Sequence, residues 1–194
     1  VTTWRITFVC EGNVCRSPYA ALTLRSRCHG SRHPGVEVSS AGTHASPGAP
    51  ADPMLRALVR PDDLAALERH RAHPIAADAL RRQHLVVTMT RAQRSAVLDV
   101  APAVLQRVFT VAEVIRMTAR LRDDASRIDP ALAVHELLAR GRPESPARSD
   151  DDVPDPVGGD AETFRRMART LDTAVDGLVL LLRSVPAGPT GAAG

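Results

Sequence analysis

Ile6-Thr7-Phe8-Val9-Cys10-Glu11-Gly12-Asn13-Val14-Cys15-Arg16-Ser17-Pro18 is the stretch on which the reading of this chain turns. Its first residues are apolar and strand-like, and the strand is expected over Arg5–Val9. Pro18 suits the first turn of a helix, and the helix is expected over Pro18–Cys28. Between the two lie a thiol, five residues, an arginine and a hydroxyl. A strand running into a helix through such a turn is the opening of an α/β fold, and ligands in that class sit at the carboxyl ends of the strands.

The chemistry of the turn follows from its residue types. A thiol attacks poorly until it is ionised. Cys10 stands under a helix N-terminus with Arg16 nearby, and both favour the anion. Ser17 can donate a hydrogen bond to the sulfur. The backbone N–H groups of Glu11, Gly12, Asn13, Val14, Cys15 and Arg16 can curl into an anion cradle. Arg16 adds a planar fork that matches two phosphate oxygens. Gly12 is expected to let the backbone turn and approach a ligand. Asn13 is the only Asn of the chain, and Asn tolerates left-handed geometry better than most residues. Glu11 to Ser17 are therefore the candidate phosphate-binding residues, and Cys10 is the candidate nucleophile. The bland alternative, a buried structural Cys beside a surface Arg, needs the Gly, Asn, Ser and Pro to fall into place by accident. For Cys28, on the helix itself, the structural reading is preferred.

On either side of the turn, strand and helix patterns alternate. Val36–Ser40 alternates as a second strand. Residues 41–51 hold two Gly and two Pro and read as a loop. Asp52 is expected to cap a helix to Val59, Asp62–His70 a short helix or turn, and Asp78 to cap a helix to about Gln83. Leu85–Met89 is a continuous apolar run, the pattern of a strand buried at the centre of a parallel sheet. A helix over Arg91–Val100 ends before Pro102, Arg107–Thr110 is a fourth strand, and Ala112–Leu121 is a helix. Pro130–Arg140 can form another, and Gly141–Asp152 is charged and expected to be mobile. Ala161–Arg183 carries Phe164, Met167, Ala168, Leu171, Ala174, Val175 and Leu178 on one helical stripe. The expectation is one α/β domain over residues 1–183: three layers, a four-stranded parallel sheet with helices on both faces, and the phosphate-binding loop after strand one. Within it 122–152 is an irregular, partly mobile insert, and 184–194 is a disordered tail.

Composition narrows the classes. The chain has 194 residues, 44% of them hydrophobic, enough for one full core. No apolar run is long enough to span a membrane. Val1–Arg5 leads straight into a strand without the apolar stretch of a secretory signal, so a cytoplasmic location is expected. The net charge is +3, every one of the 25 basic residues is Arg, and aromatics are 3%. Bases interleave with acids and stacking platforms are scarce, which argues against nucleic acid as a partner. Three Cys without a Cys-x-x-Cys pair make neither a disulfide framework nor a zinc site, and the seven His are scattered. Nothing in the sequence sets an oligomeric state.

Val9 to Pro18 resembles the phosphate-binding loop of the low-molecular-weight protein tyrosine phosphatases. The resemblance extends to Ser39-Ser40-Ala41-Gly42-Thr43, His70-Arg71-Ala72, Val87-Thr88-Met89-Thr90 and Asp155-Pro156, and it covers most of residues 5–183. It implies a single α/β domain, no metal or other cofactor, and hydrolysis of a phosphomonoester through a phosphocysteine. By the same resemblance Asp155 is the general acid. Its flanking prolines, Pro154 and Pro156, stiffen it, and Gly158-Gly159 permits a sharp return to the last helix. Asp150, Asp151 and Asp152 are read as solvated acids. Two readings stand for Cys15: a redox partner that closes a reversible disulfide with Cys10 under peroxide, as the resemblance suggests, or a small apolar filler beneath the loop.

The chain also departs from the pattern. The family's aromatic walls are replaced by His44-Ala45-Ser46-Pro47-Gly48 and by Val157-Gly158-Gly159. Ring stacking is worth ~0.5–1.5 kcal/mol beyond burial, so its loss bears on selectivity for phosphotyrosine rather than on the chemistry. The substrate is therefore a phosphorylated protein or a small phosphomonoester. Arsenate reductases share the loop, but they relay oxidation through cysteines after the third strand, and residues 89–100 contain none. Phosphoarginine activity is associated with Thr where this chain has Val14. A phosphate-binding module without catalysis would be expected to lack Cys10, Arg16 or Asp155.

Overall fold

Strands β1 (Trp4–Cys10), β2 (Val36–Gly42), β3 (Leu85–Thr88) and β4 (Val108–Thr110) form one parallel sheet in the order β2-β1-β3-β4. The computed structural model describes residues 3–29, 35–129, 132–141 and 152–185. The chain leaves β1 to form β2 on one side and returns to form β3 on the other. The carboxyl end of β1 is therefore the switch point of the sheet, where a crevice opens between diverging connections. Cys10 is the last residue of that strand and lies opposite Gly42.

Strand alternation divides the core into two layers. Ile6, Phe8, Leu85, Val87 and Phe109 point to one face and pack with helices α1 (Arg16–Cys28), α5 (Val111–Asp123), α6 (Val134–Arg140) and α7 (Ala161–Ser184). Val9, Val86 and Val108 point to the other face. There they meet Leu80 of α3 (Ala77–Arg81), Val97 of α4 (Arg91–Val100) and Val104. A short α2 (Leu64–Glu68) completes the helices. The expected stripe on α7 is buried along its whole length, from Phe164 to Leu178. Each such Leu, Val or Phe contributes about 1.5–3 kcal/mol, which is what holds a helix of this length on the sheet.

Local signals set the ends of several elements. Thr90 caps α4 by accepting from Gln93 N, Thr110 and Glu113 form a capping box on α5, and Asp160 caps α7 by accepting from Thr163 N. Other expectations are corrected. Asp78 is not a cap: α3 begins after extended Ala76, and Asp78 sits in its first turn, paired with Arg81 at 2.7 Å. Asp52 does cap, through Met54 N at 2.9 Å, but it opens a 3-10 turn over Pro53–Ala57 rather than a helix to Val59. The helix expected from Pro130 starts at Val134; Pro130 and Ala131 lie outside the described residues.

The stretch read as an irregular insert holds that helix, and its Val134, Leu137 and Leu138 are fully buried in the main core. The expected mobile segment lies outside the described residues over 142–151. Two residues of the tail read from Ser184 are ordered, because Ser184 ends α7 and Val185 is buried; the rest of that tail, 186–194, lies outside the described residues.

Candidate active site

The turn between β1 and α1 is built around Asn13. It is the one non-glycine residue with a positive φ, 55°, among those described. Left-handed backbone costs an L-residue roughly 1–2 kcal/mol, and here it is held by a complete set of bonds. Asn13 Nδ2 donates to Ser17 Oγ and to Ser40 Oγ, both at 2.9 Å. Its Oδ1 accepts from His73 N at 3.1 Å, and its carbonyl accepts from His70 Nε2 at 2.7 Å. Burial pushes the His70 imidazole below its ordinary pKa, which favours the neutral ring that donates from Nε2.

The glycine that the turn requires is not Gly12. That residue has no positive φ, and a Cβ there would meet only Val14 at 3.5 Å. The requirement falls on Gly42 of β2, where a Cβ would stand 2.4 Å from Glu11 O and 2.9 Å from Asn13 N.

Cys10 is buried, with 2% of its surface exposed. Its Sγ lies 3.0 Å from Ser17 Oγ and receives Asn13 N–H at 3.2 Å. Ser17 Oγ accepts from Asn13 Nδ2, so its own proton is free to point at the sulfur or at Ala41 O, 3.3 Å away. The expected hydrogen bond from Ser17 thus has its geometry, and the sulfur sits under two donors at the head of α1.

Arg16, the first residue of α1, is buried at 3% exposure. Its guanidinium donates to Val153 O at 3.1 Å and forms an ion pair with Asp155 Oδ2. Its buried Nε–H has no acceptor among the described residues. An orphaned buried donor is costly, and this one is well suited to an oxyanion. Asp155 is partly exposed, and its Oδ1 accepts from Val157 N at 3.2 Å in the turn that leads to left-handed Gly158.

The segment that carries Asp155 is tied down just before it. Val153 N donates to Met89 O at 2.9 Å, and Asp152 Oδ1 accepts from Arg91 N at 2.9 Å. Asp152 is therefore an anchor at the start of α4 and not a solvated acid; Asp150 and Asp151 lie outside the described residues.

The chain folds Cys10, Arg16, Ser17 and Asp155 into one site across 139 residues of separation between Arg16 and Asp155. Cys15 stands at the residue before α1, buried, making no side-chain capping bond and unbonded to Cys10. Burial first, then the charge and the hydrogen-bonding carboxylate of Asp52, push its thiol well above the ordinary range. Cys28 is half-buried at the far end of α1. The rim has no Phe, Tyr or Trp: all five of these residues in the chain, Trp4, Phe8, Tyr19, Phe109 and Phe164, are in the core. His44 turns its Nδ1 to Thr43 Oγ1 at 3.1 Å, and Val157 stands 58% exposed on the opposite side.

Among the described residues no three His, Cys, Asp or Glu side chains stand together as a metal site, and no helix is long and apolar enough to cross a membrane. Sequence reasoning missed the contributions of His70, His73, Ser40 and Gly42. Only the short motifs around them gave a signal, because each meets the loop through tertiary contact.

The family model for the low molecular weight phosphotyrosine protein phosphatases matches residues 5–136. A protein-arginine-phosphatase of Geobacillus stearothermophilus is 26% identical over 93% of this chain and 97% of its own length. A low molecular weight protein-tyrosine-phosphatase of Streptomyces coelicolor is 31% identical over 93% of this chain and 94% of its own. Among solved structures, a cysteine-to-serine mutant of the YwlE arginine phosphatase with a phosphorylated active-site serine superposes with a TM-score of 0.67. It is 25% identical, over 92% of this chain and 95% of that one.

Proposed function

The chain belongs to the low molecular weight phosphotyrosine protein phosphatase family, and from that premise we propose that it is a phosphoric monoester hydrolase that removes phosphate from phosphotyrosine in proteins through a phosphocysteine on Cys10. The observation that carries the reading is the Cys10 sulfur held by Ser17 Oγ and Asn13 N–H, with Arg16 joining the same loop to Asp155. Cys10 attacks phosphorus in line with the departing oxygen. The loop amides and the Arg16 fork hold the three equatorial oxygens, where charge develops. Asp155 gives its proton to the leaving oxygen as the P–O bond breaks. Asp155 then takes a proton from a water that attacks the phosphocysteine; the S–P bond breaks and inorganic phosphate leaves. A phosphorylated serine at the active site of the YwlE mutant supports a phosphoenzyme on the equivalent side chain.

A second reading, phosphoarginine, draws on the near full-length likeness to a protein-arginine-phosphatase. Val14 weighs against it, because this half-buried apolar side chain stands where a hydroxyl is associated with that substrate. The test is kcat/KM on matched phosphotyrosine and phosphoarginine peptides, with phosphate release as the readout. Preference for phosphotyrosine and loss of turnover in Cys10→Ser are expected. A large preference for phosphoarginine overturns the first reading, and full activity in Cys10→Ser overturns both.

A further inference from the structure

Val153 serves two places at once. Its carbonyl accepts from Arg16 of the phosphate loop, and the residue also lines a cleft of about 340 Å³ between the Asp155 segment, the start of α5 and the first turns of α7. Pro154, the neighbour of Asp155, lines it too. Val111 and Met167, both buried, and Ile115 give the cleft an apolar floor. Its cationic side chain is Arg166. The neighbours Arg165 and Arg169 both pair with Glu162, whereas the Arg166 guanidinium has no ion pair or hydrogen bond among the described residues. Asp152 also lines the cleft and accepts from Arg91 N with one carboxylate oxygen.

We infer that this cleft is a docking subsite for the stretch of substrate protein beside the phosphorylated residue, taking an aliphatic side chain on its floor and an acidic neighbour on Arg166. The inference rests on the reading of the Cys10 site as a protein phosphatase. Two observations favour this occupant. The cleft adjoins the segment that carries Asp155, because Val153, whose carbonyl holds Arg16, and Pro154, the residue before Asp155, both form part of its wall. A residue two positions along an extended chain lies about 7 Å away, so the segment that leaves the loop over Asp155 reaches the cleft within a few residues. The charge also suits an acidic neighbour, since the Arg166 guanidinium lines the cleft without an ion pair among the described residues. With no Phe, Tyr or Trp at the rim of the phosphate loop, contacts of this kind are where selectivity among proteins can arise.

The test uses the full chain with phosphotyrosine peptides flanked by Leu-Glu, Gly-Gly or Leu-Lys on either side, and p-nitrophenyl phosphate as the readout of chemistry alone. The Leu-Glu peptide is expected to be the best substrate. Arg166→Glu should lower its kcat/KM about fivefold and bring the Leu-Lys peptide level with it or ahead. Thr170→Trp, which fills the cleft from α7, should lower kcat/KM on both Leu peptides about tenfold. Neither variant should change turnover of p-nitrophenyl phosphate. Equal use of all three peptides by the unaltered protein, or parallel loss on peptides and p-nitrophenyl phosphate, overturns the docking site and leaves the phosphatase reading standing. Turnover of p-nitrophenyl phosphate with no turnover of any phosphotyrosine peptide overturns the protein-substrate reading, and the docking site with it.

Discussion

The Nε2–H of His70 donates to the main-chain carbonyl of Asn13 over 2.7 Å, so a residue 57 positions away fixes the one left-handed turn of the phosphate loop. His70→Leu keeps the bulk and removes the donor, leaving that carbonyl without its partner. A loss of about 1–3 kcal/mol is expected from an orphaned group of this kind, with kcat reduced because the loop relaxes. Urea unfolding and kcat together check this. An unchanged kcat in a folded His70→Leu protein would mean that the loop holds its shape without the histidine.

The same burial gives the protein an acid-sensitive side. His70, His84 and His135 all have pKa values held below the ordinary 6.5, with desolvation the largest cause in each. A lowered folded-state value means that the unfolded chain takes up protons first as pH falls. The stability that these groups contribute is fully present above about pH 6.5 and is lost as pH drops from there toward the folded-state values. The urea midpoint should therefore fall between pH 7 and pH 5. His84→Gln, which loses the titrating ring beside Trp4, should flatten that slope. A midpoint that rises on acidification contradicts the account.

Asn13 combines a backbone requirement with a side-chain one, and two substitutions separate them. Asn13→Ala keeps neither the tolerance for φ of 55° nor the bonds to Ser17, Ser40 and His73. A loss of roughly 2–4 kcal/mol is expected from strain and unpaired groups together. Asn13→Gly accepts the angle but not the bonds, and should recover about 1 kcal/mol of that loss. If Gly is no better than Ala by thermal or chemical unfolding, the left-handed angle is not a cost to this protein.

Legibility in the sequence depends on distance along the chain. The strand, the thiol, the arginine and the helix are consecutive, so the residue types of 6–28 carry their own explanation. The two-layer core is legible because alternation in strands and the stripe of α7 are periodic. The motif points to Gly12 as the glycine of the loop, whereas the close approach that demands a glycine occurs at Gly42. It exists only once β2 pairs with β1 in the register that sets Cys10 beside Gly42. Asp152 reads as one acid among several, and its role as the anchor of Arg91 N needs 61 residues of chain to close. Asp155 is identified by resemblance rather than by pattern, since nothing local distinguishes an acid that folds onto Arg16 from one that faces water.

Asp155 should separate substrates by the quality of their leaving group. Asp155→Asn keeps the size and an acceptor for Val157 N, but it gives no proton and no charge to Arg16. On a phosphotyrosine peptide, whose phenolate leaves reluctantly, kcat should fall about 10²–10⁴-fold. On p-nitrophenyl phosphate, whose leaving group needs little help, the fall should be much smaller. Equal losses on both substrates would point to a damaged loop instead of a missing acid, and no loss on the peptide would remove Asp155 from the mechanism.

Cys15 decides whether the loop protects itself from oxidation. Peroxide converts the Cys10 thiolate to a sulfenic acid; attack by the Cys15 sulfur then breaks the S–O bond, releases water and closes a disulfide that dithiothreitol reopens. The attacking species is a thiolate, and burial together with Asp52 pushes the Cys15 thiol away from that form. Closure should therefore be slow, and Asp52→Asn should hasten it. Asn also caps well and can still accept from Met54 N, so the turn beneath the loop is kept while the negative charge beside Cys15 is removed. The expected result is a larger share of activity recovered by dithiothreitol after a peroxide pulse in Asp52→Asn than in the unaltered protein, and none recovered in Cys15→Ser. Recovery that is the same in all three proteins would make Cys15 a filler beneath the loop and nothing more.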